Sequence, residues 1–443
     1  MRKVKRKKRG PRRPLTFKRL VMITAILAIS AILLFLYLNR PNEIDKLNTD
    51  YISTMNRNIV KEKVKTSYPN TFKAADYTVY GETLALYGDE YGSVELDPFL
   101  GKAVQLQNVE TGEQYSFTFS GKGDAAIQLG ELSEGIYDIY IYDQYTKKRI
   151  YFDAPIHGDE IVTMRRNGEV KTVTLEAGKD LFKNFNIALD KDYAYLVVKD
   201  TIPQKEIIDV LIDPSGNVLN EITGEIYEGA LSDTINEKET SYALALQMKE
   251  ALEKYGLKVE LTRDENGALS YYGKEGRVGK GYEKKAKLFI DLSLCDEESI
   301  NRPFLKVSPW TNASFANQIV YFMEKDGVEL DYPYSSSDLL NSGVIFDSLL
   351  TNDQYELTNY SIDPALRESG GKATYAGQLN ELGNQRYANA YGMNAVVLVY
   401  ANIQNQDSIN YFKQNKDLIV RSFVQGIASY YDLKEEQDET ATQ

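Results

Sequence analysis

The chain has 443 residues, 43% hydrophobic and 26% charged, with a single histidine (His157) and a single cysteine (Cys295). That length accommodates two or three domains, and the composition is that of a globular protein. A disulfide framework needs paired cysteines and a Cys/His zinc module needs several ligands, so both are excluded within one chain. Any histidine chemistry has to use His157.

The net charge of −12 is unevenly placed. Residues 2–19 carry eleven Lys or Arg and no acid, which leaves 41 basic against 64 acidic residues elsewhere. Leu20–Leu38 (LVMITAILAISAILLFLYL) then runs for 19 residues without a charge. As a helix this is about 28 Å, enough to cross a bilayer. Basic residues beside a span stay cytoplasmic. The expectation is a single-pass cell-membrane protein with residues 1–19 inside, a transmembrane helix at 20–38 and extracellular C-terminal domains. A cleaved signal peptide is the rival reading, but LLFLYLNRPNE offers no small-x-small cleavage site. The basic head then sets orientation and touches anionic lipid, and the acidic remainder argues against nucleic acid as a partner.

Residues 39–74 are expected to form a helical stalk, with Ile44, Leu47, Tyr51, Met55 and Ile59 at three- and four-residue steps. Fewer than three heptads fit, so a homodimer through the stalk competes with a helix resting on the membrane or the next domain. Residues 75–200 read as a β-sandwich. AVQLQNV, QYSFTFS, AIQLGEL, IYDIYIYD, KRIYFDAP, EIVTMRR and VKTVTLE are short and alternating, and turn signals such as ETGE and SEGI separate them. GELSEGIYDIYIYD resembles the strand entry of immunoglobulin-like or prealbumin-like sandwiches. The tyrosines here are expected to pack with one side buried, stacking on sugars being the alternative.

From about residue 205 strands and helices alternate, the pattern of an α/β domain. EIIDVLID (206–213), KVELTR (258–263), LFIDLSLC (288–295) and AVVLVYANI (395–403) read as strands. EKETSYALALQMKEALEKYG (237–256), SFANQIVYFMEKDG (314–327) and NKDLIVRSFVQGIASYY (415–431) read as helices, the first two closed by glycine. Residues 433–443 form an acidic tail expected to be disordered.

The segments LIDPSGN, EKETSYALALQMKEALEKYG, KVELTR, GRVGKGYEKKAKLFIDLSLC and VVLVYANI follow one another in a characteristic order. Together they resemble the catalytic domain of zinc-dependent N-acetylmuramoyl-L-alanine amidases, which cut peptide stems from peptidoglycan. The resemblance spans residues 205–432, and the block 237–263 is its most specific part. It implies a twisted mixed sheet flanked by helices. It also implies a zinc site made of a His after the first strand, a Glu opening the next helix, a His on the strand at 288–295, and a catalytic Glu on the late strand. Asp213 and Pro214 match the motif, and Glu237 matches the ligand Glu. The two histidines fall on Gly216 and Ser293 and the catalytic Glu on Tyr400, while Arg263 and Arg277 match positions more architectural than catalytic.

A catalytic zinc needs three protein ligands and an open position. A phenol with an unperturbed pKa of about 10 cannot replace a carboxylate base. The resemblance therefore implies a degenerate amidase with no catalytic residue and no zinc or other cofactor expected. The rival is an active amidase with a metal site rebuilt from Glu237 and Cys295, supported by Asp213 or Asp291. Cys295 lies two residues beyond Ser293, on the same side of a strand, and an inert buried thiol is its plainer reading. His157, in DAPIHGDE, reads as a surface loop residue, and Asp264 and Glu265 as solvated loop acids.

RESGGK (367–372) precedes an expected helix, TYAGQLNELGNQRYANAYG. Its glycines either present backbone N–H groups to an anion or simply make a turn. The candidate groove comprises Asp213, Glu237, Arg263, Arg277, Ser293, Cys295, Arg367, Glu368 and Tyr400. The expected work is non-catalytic: binding peptidoglycan fragments, or binding and regulating another cell-envelope enzyme.

Overall fold

The computed structural model describes residues 57–87, 99–119, 126–152, 160–162, 170–201, 207–331, 343–347, 363–369, 373–374 and 393–435, apart from positions 75, 81, 100, 274, 298, 309, 310 and 312. The basic segment, the apolar span 20–38, most of the stalk, His157 and the tail beyond 435 lie outside the described residues. Among the described residues no helix is long and apolar enough to cross a membrane. The chain falls into two compact units, Met1–Asn58 and Ile59–Gln443, and every described sheet belongs to the second.

The β region has two sheets. One orders its strands Thr71–Ala74, Thr146–Phe152, Gly135–Asp143, Ala194–Thr201, Val170–Ala177 and Glu160–Val162. Ala103–Asn108 branches from Gly135–Asp143 and carries Gln114–Thr118 on its far side. The other orders Ala373–Thr374, Asp76–Tyr80, Thr83–Tyr87 and Ile127–Gln128. Leu84 and Leu86 of the second sheet share one core with Leu106, Ile139, Ile141 and Leu196 of the first. Alternation is visible where one face alone is buried, as in Ala103–Asn108. Gly135–Asp143 is instead buried through its first seven residues. Its second face carries Asp138, paired with the fully buried Arg149 at 2.7 Å, and the Arg149 guanidinium lies 3.7 Å over the Tyr193 ring. Arg149 also donates to the Lys65 carbonyl, so the segment after the helix Arg57–Lys63 is docked on this sheet. The chain is already a sheet strand at Thr71, ahead of the boundary expected at 75.

In the α/β domain the elements are β1 (Val210–Pro214), α1 (Glu237–Glu253), β2 (Val259–Leu261), α2 (Arg277–Glu283), β3 (Leu288–Cys295), β4 (Phe304–Val307), α3 (Ala313–Lys325), β5 (Val344–Phe346), α4 (Pro364–Ser369), β6 (Asn394–Asn402) and α5 (Gln406–Tyr430). The sheet order is β2-β1-β3-β6-β4-β5, parallel except that β4 runs against β6. Helices cover both faces. Leu244 and Met248 of α1, Ile319 of α3 and Phe423 of α5 pack on one side against Ile212, Ile290 and Leu398. Val278 of α2 and Leu366 of α4 pack on the other against Leu211, Phe289 and Val397. Strands buried on both faces read as continuous apolar runs, which is why β3 and β6 stand out in the sequence.

Asn236 caps α1 by accepting from the Glu239 N–H, and the helix ends at Glu253, ahead of Gly256. The last helix starts at Gln406 rather than 415, because Asn405 accepts from the N–H groups of Asp407 and Ser408 and fixes the first turn. A correction concerns RESGGK. Arg367 and Glu368 sit inside the short helix α4, begun at Pro364, and Ala373–Thr374 after them form a strand, while residues 375–392 of the expected helix lie outside the described residues. Proline at the first helical position is favoured because its missing N–H is not needed there.

Candidate functional site

The carboxyl ends of β1 and β3 lie side by side, with Asp213 level with Asp291. Asp213 is fully buried and paired with the equally buried Arg277 at 2.9 Å, and the Thr262 hydroxyl donates to the same carboxylate oxygen. Arg277 opens α2 and also donates to the carbonyls of Pro214 (3.1 Å), Gly216, Asn217 (2.9 Å) and Leu269 (3.2 Å). Arg263, just beyond β2, donates to Pro214 (3.1 Å), Ser215 (2.8 Å) and Lys238 (3.2 Å). Two guanidinium groups thus satisfy the carbonyls of the turn leading from β1 towards α1. Left unpaired, those buried groups would each carry a desolvation cost.

The neighbouring acids are electrostatically unequal. Burial pushes the Asp213 carboxyl up, while Arg277, Thr262 and Arg263 pull against it. Asp291 is pushed well above the usual carboxylate range by burial and then by Asp213 and Asp363, with Arg277 opposing more weakly. Of the two, Asp291 is pushed further above the ordinary carboxylate range, and Asp213 is the one paired with Arg277. Oδ2 of Asp213 and Oδ1 of Asp291 are buried without a hydrogen-bond partner among the described residues.

At the positions where the resemblance calls for reactive groups, the structure places closure. Gly216 has φ +80°, and a Cβ there would lie 2.6 Å from the Glu228 carbonyl oxygen and 3.0 Å from Lys238 Cα. The hairpin Val218–Leu219/Ile226–Tyr227 returns the chain across this point. Gly229, at φ +109°, comes so close that a Cβ on it would sit 3.1 Å from Gly216 Cα. The next residue, Ala230, donates its N–H to Glu237 Oε2 at 2.7 Å, and Glu237 N–H donates to the Ala230 carbonyl at 3.0 Å. The retained glutamate is thereby tied to a loop backbone.

The Ser293 hydroxyl donates to the Leu294 carbonyl beside a bulge in β3. Tyr400 is fully buried against Phe412, ring centroids 4.8 Å apart, and its hydroxyl has no partner among the described residues. Burial, then Glu237 and Asp291, hold its pKa well above 10. Cys295 is half-buried with Sγ 3.7 Å from the Ala401 carbonyl oxygen, and burial pushes its thiol up to about 11. A metal-ligating or nucleophilic cysteine needs the opposite shift.

These residues do not fit a catalytic zinc. Position 216 has neither a side chain nor room for one, the Glu237 carboxylate is engaged by Ala230, and Tyr400 and Cys295 are held in their neutral forms. Among the described residues no group of three or more His, Cys, Asp or Glu side chains is placed to hold a metal ion. Of the residues singled out in the sequence, the structure brings together Asp213, Arg263 and Arg277. Glu237 faces Ala230, and Ser293 and Cys295 follow along β3. The side chains of Arg367 and Glu368 lie outside the described set. Nothing in the sequence marks Thr262 or Asp363, and Asp291 reads there only as a supporting ligand. The one visible trace was an acid inside the apolar run LFIDLSLC.

No protein-family model and no curated protein sequence matches the chain. Among solved structures it is similar to the catalytic domain of CwlV, an N-acetylmuramoyl-L-alanine amidase from Bacillus (Paenibacillus) polymyxa var. colistinus, at 18% identity and TM-score 0.33, covering 52% of this chain and 100% of that one. It is also similar to the amidase Ami1 from Mycobacterium smegmatis (12%, TM-score 0.34, 51% and 97%). A third is the amidase AmiC2 of Nostoc punctiforme (12%, TM-score 0.30, 52% and 99%). These solved structures are N-acetylmuramoyl-L-alanine amidases.

Proposed function

We propose that the chain is a membrane-anchored, outward-facing protein of the cell envelope whose amidase-like domain binds peptidoglycan without hydrolysing it. The observation that carries this reading is the closure at Gly216. Backbone from 228–230 lies where a ligand side chain would project, and Ala230 engages the Glu237 carboxylate. The surrounding framework of Asp213, Arg263 and Arg277 is kept intact. A scaffold maintained by two buried arginines but emptied of reactive groups suits recognition better than turnover. The membrane anchor rests on the basic segment 2–19 and the uncharged run 20–38.

The test is co-sedimentation of the full chain with purified sacculi, alongside chromatography of the supernatant with and without added zinc. The expected result is a pelleted chain and no released stem peptide in either condition. Zinc-dependent release that is abolished in Glu237→Ala would overturn the non-catalytic reading. A chain that stays in the supernatant and instead captures a wall enzyme from membrane extract would replace the ligand with a partner.

A further inference from the structure

We propose that a second, polar groove at the carboxyl edge of the sheet is a binding site for a neutral oligosaccharide. The groove has a volume of about 740 Å³, within the roughly 300–1,000 Å³ usual for ligand sites. Its walls come from the loop before β4, the segment after α3 and the first turns of α5. All three lie at one edge, because β4 runs against β6 and begins with Phe304 beside Val399. Open α/β sheets bind ligands outside the carboxyl ends of their strands. Gly216 and Glu237 belong to the β1 side of the sheet, whereas this groove belongs to the β6–β4 side.

The floor is set before any ligand arrives. The Arg302 guanidinium lies 4.4 Å over the Tyr411 ring and is paired with Glu329 at 2.7 Å. The Tyr411 hydroxyl accepts the Glu329 N–H at 2.7 Å, and Asp331 accepts the N–H groups of Asn301 and Arg302. This gives a preorganised contact of guanidinium over phenol. Along the rim, Asp407, Asn410, Tyr411 and Gln414 share one face of α5 at three- and four-residue steps. Asn410 accepts from the Gln406 amide through Oδ1 at 3.0 Å, which uses an acceptor and none of its N–H donors.

The chemistry selects the ligand class. Glu329 neutralises Arg302, so Asp407 leaves the lining acidic, and a phosphate or polyanion is repelled. Side-chain amides offer donors and acceptors together, and carboxylates accept from paired hydroxyls. Hydroxyl and acetamido groups match both, and the C–H face of a sugar ring suits the guanidinium–phenol floor. Activity or inactivity at Glu237 leaves this groove unchanged.

The experiment is calorimetric titration of the full chain, held in a detergent without a sugar headgroup, with the β-1,4-linked tetramer of N-acetylglucosamine and, separately, cellotetraose. The expected result is saturable binding of the acetamido tetramer that weakens by about tenfold or more in Asn410→Ala/Gln414→Ala. Both positions are exposed on a helix, so the double variant keeps its fold and its thermal midpoint. A second variant, Arg302→Ala, removes half of the floor and is expected to lose binding as well. Equal binding of cellotetraose would place recognition on the hydroxyls. No saturable binding of either sugar, or unchanged affinity in the double variant, overturns the site. Retained sedimentation with sacculi in that case would sink the groove alone and leave the proposed function standing.

Discussion

Arg277→Ala is the sharpest test of how the domain is held together. The guanidinium is fully buried and serves the Asp213 carboxylate and four carbonyls. Breaking a buried ion pair from one side costs about 3–5 kcal/mol, because the other charge stays buried. Each abandoned carbonyl adds about 1 kcal/mol or more, offset where water enters the space. With water taking back much of the carbonyl cost, the total is at least about 5 kcal/mol. At about 2–4 °C per kcal/mol for a domain of this size, the thermal midpoint falls by at least roughly 10 °C. Arg277→Lys keeps a charge for Asp213 but cannot fork to the carbonyls of Gly216 and Asn217, so its loss is intermediate.

The pH dependence follows from the sign of the Asp213 shift. Burial raises that carboxyl and Arg277 opposes the rise. Without the arginine the folded state holds its proton more tightly still, so the variant loses additional stability as pH climbs above the ordinary Asp range. The deficit is therefore smallest near pH 4 and grows towards pH 8. Asp213→Asn added to Arg277→Ala recovers part of the loss by removing the stranded charge. Circular-dichroism melts of the single and double variants across this range decide it. A deficit under about 1 kcal/mol at pH 7, or no recovery in the double variant, would refute the reasoning.

Three further outcomes are expected. Asp291 is raised well above its usual value by burial, Asp213 and Asp363, so the folded state keeps a proton that the unfolded chain releases, and wild-type stability falls as pH rises above about 4. Asp291→Asn mimics the protonated form, and its urea midpoint should equal wild type near pH 4 and exceed it at pH 8; an equally steep decline in the variant would contradict this. Tyr400→Phe removes a buried hydroxyl with no partner among the described residues, so stability should hold or rise by up to about 1 kcal/mol, and a comparable loss in denaturant titration would reveal a missed partner. Gly216→Ala should cost at least about 2 kcal/mol, from the left-handed φ and the approach of Glu228, whereas Gly224→Ala, at φ +73° with open space around it, should cost only about 1 kcal/mol. Equal costs at the two glycines would remove the evidence for a crowded turn at 216.

The sequence made the α/β sheet legible because β6 and the first five residues of β3 are buried on both faces and carry long apolar runs, broken in β3 by Asp291 and Ser293. It hid the start of α5, where NQDSINYFKQ is polar and only the Asn405 cap announces a helix. AYLVVKDT (194–201) gives no strand signal in the β region because six consecutive buried residues leave no alternation to read. The expectation that the reactive positions are substituted comes from the motif alone. The closure over Gly216 was not legible there, since it depends on a positive φ and on residues 228–230 meeting 216 across a hairpin. Nor was the contrast between Asp213 and Asp291, which comes from strand register between segments far apart in the chain.

The strand Ala373–Thr374 lies between α4 and β6, yet its backbone pairs with Thr78 and Val79 in the β region. During synthesis Asp76–Tyr80 emerges long before Ala373 exists, and until then one flank of that strand presents unpaired N–H and C=O groups. Closing it requires a contact of very long sequence separation, the slowest kind to form. Folding of the early sheet is thus completed only by a late piece of the chain, which then guards an edge open to wrong partners. A chain cut short before residue 373 would leave that edge exposed, and aggregation, rather than simple loss of a domain, would be its characteristic failure.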